Sequence, residues 1–136
     1  MYSRILVPID LHDDAKAKAM IDAARHLGGQ AGQIVLLHVV EDIPSYVAVE
    51  LPSGILAGQK DDSIRRLEDL SQRENLKAVV DVRIGQPASA ILAAAEEHGS
   101  DVIVIASHRP GFQDYLIGST AARVVRHSRC SVLVIR

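Results

Sequence analysis

Residues 101–120, DVIVIASHRPGFQDYLIGST, decide how this chain folds. Asp101 to Ala106 is an uninterrupted apolar run rich in branched side chains, which predicts a short strand covered on both faces. A mixed polar loop follows. Gly118-Ser119-Thr120 then opens a helix whose apolar residues Ala121, Val124 and Val125 fall at helical spacing. A buried strand leading through a loop into an amphipathic helix is half of a βαβ unit, and that unit belongs to parallel sheets.

The rest of the chain repeats the pattern. Arg4 to Ile9 (RILVPI), Ile34 to Val40 (IVLLHVV), Lys77 to Ile84 (KAVVDVRI) and Ser131 to Ile135 (SVLVI) read as further buried strands, with Pro8 limiting how far the first ladder continues. Between the first two strands, Asp13-Asp14 suit a helix start, Met20, Ala23, Ala24 and Leu27 keep an i, i+3, i+4, i+7 stripe, and Gly28-Gly29 supply the stop. A second helix is expected over Asp61 to Glu74, carried by Ile64, Leu67 and Leu70. A third has Pro87 preset for its first turn, Ala88, Ile91, Leu92 and Ala95 on one face, and Gly99 as terminator. Strand and helix alternate without a long polar linker, so the prediction is an α/β single domain: a five-stranded parallel sheet with right-handed crossovers and helices on both faces. The exception is residues 41–60, EDIPSYVAVELPSGILAGQK, too long for an ordinary connection and too apolar for solvated coil. It reads as a lid, a subunit contact or a partly helical excursion, with a lid that includes some helix favoured.

Composition narrows the function. The chain has 136 residues, enough for one core, and 48% of them are apolar against 3% aromatic, so packing rests on Val, Ile, Leu and Ala. A net charge of −2 without a Lys/Arg cluster excludes the electrostatic footprint of nucleic-acid binding. The lone Cys130 forms no internal disulfide, the amino terminus is not signal-like, and no apolar run approaches a membrane span. The expectation is a soluble cytoplasmic protein with neither nucleic-acid nor membrane partners.

In an open parallel sheet, ligands bind beyond the carboxyl ends of the strands where the strand order reverses. Asp10, the Val39-Val40-Glu41 segment and Ser107-His108-Arg109 all stand at such ends. Gly118-Ser119-Thr120 opens a helix whose unpaired amides suit a phosphate, glycine allowing close approach and the hydroxyls adding donors. The same three residues also read as an ordinary helix cap, Asp10 as a cap for the first helix, and His108 as a loop histidine. Sharper chemistries fail on pattern. There is no G-x-x-x-x-G-K-[ST], no G-x-G-x-x-G after the first strand, and the six histidines lack metal-site spacing. His38, inside a strand, reads as a core residue. A triad of Ser119, His108 and Asp10 lacks the strand-to-helix elbow that presents a nucleophile.

RILVPID, LLHVV, VRIGQP and IVIASHRPGFQDYLIGSTAARVVRHSRCSVLVIR together resemble the universal stress protein family over essentially the whole chain, 1–136, least so from Ile43 to about Ala78. Nucleotide-binding members carry G-x₂-G-x₉-G-[ST]; here those positions read Ala106, Arg109 and Gly118-Ser119, with the loop one residue shorter. ASHRP with the YLxGS ending is similar to the F-type branch, which binds ATP with this altered loop. The resemblance implies strand order 3-2-1-4-5, the adenine nucleotide α-hydrolase-like fold, and ATP (or ADP or AMP) as ligand, with Mg²⁺ allowed on the phosphates. It implies that Pro8, Ile9 and Asp10 line the adenine and ribose side and that Val39 offers its backbone to the base. Ala106, Ser107, His108 and Arg109 would wrap ribose and phosphates, and Gly118, Ser119, Thr120 and Ala121 would bind the phosphates. It also implies a homodimer through the edge strand, Val132, Leu133, Val134 and Ile135, acting as a stress-response sensor or regulatory module. A nucleotide-free dimeric scaffold is the alternative, and a small hydrolase using His108 ranks below both; no catalytic residue is assigned.

Overall fold

The computed structural model describes residues 1–42, 45–50, 52–107 and 118–136. Five strands, β1 (Arg4–Pro8), β2 (Gln33–Glu41), β3 (Val79–Gly85), β4 (Val102–Ala106) and β5 (Ser131–Ile135), alternate with helices. These are α1 (Asp14–Gly28), α2 (Ser45–Ala48), α3 (Ile55–Arg73), α4 (Pro87–Glu97) and α5 (Ser119–His127). Every strand pairing is parallel and the order is β3-β2-β1-β4-β5, as expected.

Successive side chains of a strand face opposite sides, so a sheet with helices on both faces needs apolar residues at nearly every strand position. Ile5, Val7 and Leu36 pack with Met20, Ile21 and Leu67 under α1 and α3. Leu6, Leu37 and Ile103 pack with Ala88, Ile91 and Val124 under α4 and α5. Burying each such side chain contributes about 1.5–3 kcal/mol, which is why these runs outweigh any local preference.

Helix ends follow local chemistry. Asp13 caps α1, its Oδ1 accepting from the Lys16 amide at 3.0 Å, and Gly29 ends it at a φ of 60°, where a side chain would be strained. Gln86 caps α4 by accepting from the Ser89 amide at 2.8 Å, just ahead of Pro87.

Two local expectations need correction. The helix expected from Asp61 begins at Ile55, so the unusual 41–60 segment is helical in part, over Ser45–Ala48 and again from Ile55. Gly58 argues against helix there by about 1 kcal/mol, but Leu56 packs against the core and the turn closes, Gly58 N–H donating to Gly54 O at 2.9 Å. Val125, expected to be buried, is 47% exposed. The α4 helix and the sheet take the Ala121–Val124 side of this short helix, which leaves Val125 half-exposed on its flank. Among the described residues no helix is long and apolar enough to cross a membrane.

Candidate ligand crevice

The sheet opens where its order reverses. β1 and β4 pair only at Ile5↔Val102 and Leu6↔Ile103, whereas β4 keeps β5 up to Ala106↔Ile135. Beyond that fork lies a crevice of about 650 Å³, within the range of small-molecule sites. Pro8, Ile9, Asp10, Val39, Ala106 and Thr120, all singled out from sequence, meet around it. Of these, Asp10 is partly committed, its Oδ1 accepting from the His12 amide at 2.9 Å.

The other expected residues divide. Ser107 and Gly118 bond to each other, the Gly118 amide donating to Ser107 Oγ at 3.1 Å. That hydroxyl closes the base of the loop between β4 and α5 and takes one of the amides expected to face phosphate. Gly118, the N-cap of α5, has no side chain to cap it, and among the described residues no side-chain bond caps this helix start. Ser119 is exposed, while Ala121 turns its side chain into the core at 2% exposure. His108 and Arg109 lie outside the described residues.

Sequence reasoning missed one wall of the crevice. Gln59, Asp62, Ser63 and Arg66 of α3 line it, together with His12 just before α1 and Lys16 in its first turn. Their i, i+3, i+4, i+7 spacing is a helical face, a signal available in the sequence but hidden once the helix was started at Asp61. Arg66 ties this wall to the β1 loop, its Nη2 donating to Leu11 O at 2.7 Å. His38 was also missed. It is half-buried, lines the crevice, and bonds through Nδ1 to Ile9 O at 2.8 Å.

The charged lining mixes signs, with Asp10, Asp13, Glu41 and Asp62 set against Lys16 and Arg66. Among the described residues the tightest ion cluster lies away from the crevice, on β3 and the carboxyl end of α4. There Asp81 Oδ2 meets His98 Nε2 at 2.8 Å and Arg83 Nη2 at 3.0 Å, and Arg83 Nη2 also reaches Glu97 Oε2 at 2.6 Å. Burial alone would raise the Asp81 pKa, but hydrogen bonds and charge from His98 and Arg83 outweigh it and hold the carboxyl below its ordinary value. Among the described residues no group of His, Cys, Asp and Glu is arranged to hold a metal ion.

A doubly wound parallel sheet with a crevice at its switch point is the α/β architecture in which ligands bind against the strand ends. The chain belongs to the Universal stress protein family, which it matches over residues 1–136. It is 30% identical to Universal stress protein G of Escherichia coli O157:H7, with 100% of both chains covered. Among solved structures it is similar to the hypothetical protein MJ0577, at 25% identity and a TM-score of 0.80, covering 99% of this chain and 96% of that one. A universal stress protein solved in complex with cAMP shares the fold, at 18% identity and a TM-score of 0.68 over 99% and 97% of the two chains.

Proposed function

We propose that this universal stress protein binds an adenine nucleotide, ATP in preference to ADP or AMP, in the crevice between β1 and β4, and works as a ligand-sensing regulatory module of the F-type branch. The observation that carries this reading is the convergence of Pro8, Ile9, Asp10, Val39, Ala106 and Thr120 on one crevice at the switch point. The base lies against the ends of β1 and β2, and the phosphates lie at the first turn of α5, where amides and the Ser119 and Thr120 hydroxyls donate to them. Mg²⁺ accompanies the phosphates as part of the ligand. The cAMP bound by a fold neighbour is an adenine ligand with one phosphate, which supports the choice of base. With Gln59 on the crevice wall, the 41–60 segment serves as the lid. The protein works in the cytoplasm as a homodimer joined through β5.

The test is a set of melting curves with ATP, ADP, AMP, cAMP and adenosine, alongside mass analysis of whatever nucleotide co-purifies. At a ligand concentration a hundred times Kd, binding stabilises the native state by about 2.7 kcal/mol, a rise of several degrees for a domain of this size. ATP is expected to give the largest rise and adenosine the smallest. A profile flat to all five favours the second reading, a nucleotide-free dimeric scaffold. The Ser107–Gly118 bond favours that reading too, since it occupies an amide a phosphate would otherwise use.

A further inference from the structure

The end of β1 carries an irregularity that the fold does not require. β1 and β2 stay in register up to Pro8↔Leu37, and the ladder runs one bond further, the Ile9 amide donating to Leu37 O at 2.7 Å. In a parallel pair the next rung would be the Val39 amide donating to Ile9 O. That bond is absent among the described residues. The Ile9 carbonyl is taken instead by the side chain of His38, at 2.8 Å from Nδ1.

The direction of this bond follows from chemistry. A carbonyl oxygen only accepts, so Nδ1 carries the proton and donates, in the neutral ring as in the charged one. The consequence for Val39 follows from alternation along β2. Leu37 turns its peptide toward β1, while Asp42 turns its amide toward β3, donating to Gly85 O at 3.3 Å. Val39 shares the parity of Leu37, so its peptide also faces the β1 side, where β1 has already left the sheet. It opens on the crevice that Val39 lines.

We infer that His38 is a positioning residue of the crevice: by occupying the Ile9 carbonyl it stops the β1–β2 ladder one rung early and leaves the Val39 peptide as a donor–acceptor pair for a ligand's base edge. The ligand half of this rests on the nucleotide reading above; the structural half does not. A base with an adjacent donor and acceptor, as an aminopurine has, satisfies both groups at once.

Three variants test it. In His38→Phe the ring remains but the donor is gone, so the Val39 amide closes on Ile9 O. His38→Gln carries its amide too far out to replace Nδ1, and it guards against a Phe variant that folds poorly. His38→Asn places an N–H near the position of Nδ1 and is expected to rescue. Two readouts are taken: ATP affinity by calorimetry and hydrogen exchange of the Val39 amide by NMR without ligand. The expected result is ATP affinity weaker by on the order of tenfold in the Phe and Gln proteins, near wild type in Asn. Val39 exchange should be fast in wild type and Asn and slowed in Phe and Gln. A Val39 amide already protected in wild type, or one that exchanges alike in all four proteins, overturns the inference. So does unchanged ATP affinity in Phe and Gln when wild type binds. If wild type binds no nucleotide, the functional reading falls, and the exchange data alone decide the role of His38.

Discussion

Ser107 was expected among the residues that wrap a nucleotide, and its hydroxyl holds the Gly118 amide across an eleven-residue separation. A neutral hydrogen bond of this kind contributes about 1 kcal/mol net, and leaving the amide without its acceptor costs more. Ser107→Ala is therefore expected to lower stability by about 1–2 kcal/mol in urea melts, while Ser107→Thr, which keeps the hydroxyl, stays close to wild type. If the hydroxyl also orients the first turn of α5, the Ala variant loses part of its ATP-induced rise in Tm and the Thr variant keeps it. An Ala variant as stable as wild type would show that the loop base is held by something else.

At the scale of elements, edge strand β3 and the end of α4 are joined by the Asp81–Arg83–Glu97–His98 cluster. The Asp81 carboxyl is held below the ordinary aspartate value by its bonds to His98 and Arg83, so its contribution to stability is fully present above that ordinary value. It is lost as pH falls through the lower folded value, because the native state then gives up a preference for the ionised form. Asp81→Asn is accordingly expected to show a deficit relative to wild type that is constant above about pH 4 and shrinks below it, read from urea midpoints across pH. A deficit that grows toward acid would contradict the sign. The helical part of the 41–60 segment belongs to this scale too. Ile55 and the residues after it join α3 because Leu56 finds the core, and propensity around Gly58 yields to that contact.

At the scale of the molecule, β5 lies at an edge of the sheet, with Leu133 37% exposed. An apolar edge with open peptide groups is a pairing surface unless something protects it. The Ser107 amide donates to Ile135 O at 2.8 Å, so residues of that parity serve β4 and the peptides of Val132 and Val134 face outward. Val134→Pro removes an outward N–H without touching the β4 ladder, a place where an edge strand tolerates proline. In the proposed dimer it should convert the protein to a monomer in sedimentation equilibrium, with the circular dichroism of the fold retained. A variant that stays dimeric would move the interface away from β5.

Much of this molecule is written locally. The apolar runs at Arg4, Ile34, Asp101 and Ser131, the cap at Asp13, Pro87 at a helix start and the stop at Gly29 each act over a few residues. Their period and spacing were therefore legible before any fold was known. So was the crevice rim, because strand ends in such a sheet share one edge. What the tertiary structure alone decided depends on distant partners. The α3 stripe was present in the sequence, but Gln59 joined it only when Leu56 found the core and carried the helix back to Ile55, and Ser107 was known as a clamp only when Gly118 met it. His38 passed for a core residue until its ring was seen 29 positions away on the carbonyl of Ile9. A hydrogen bond between remote residues leaves no period in the chain, and only the packed sheet brings its two ends together.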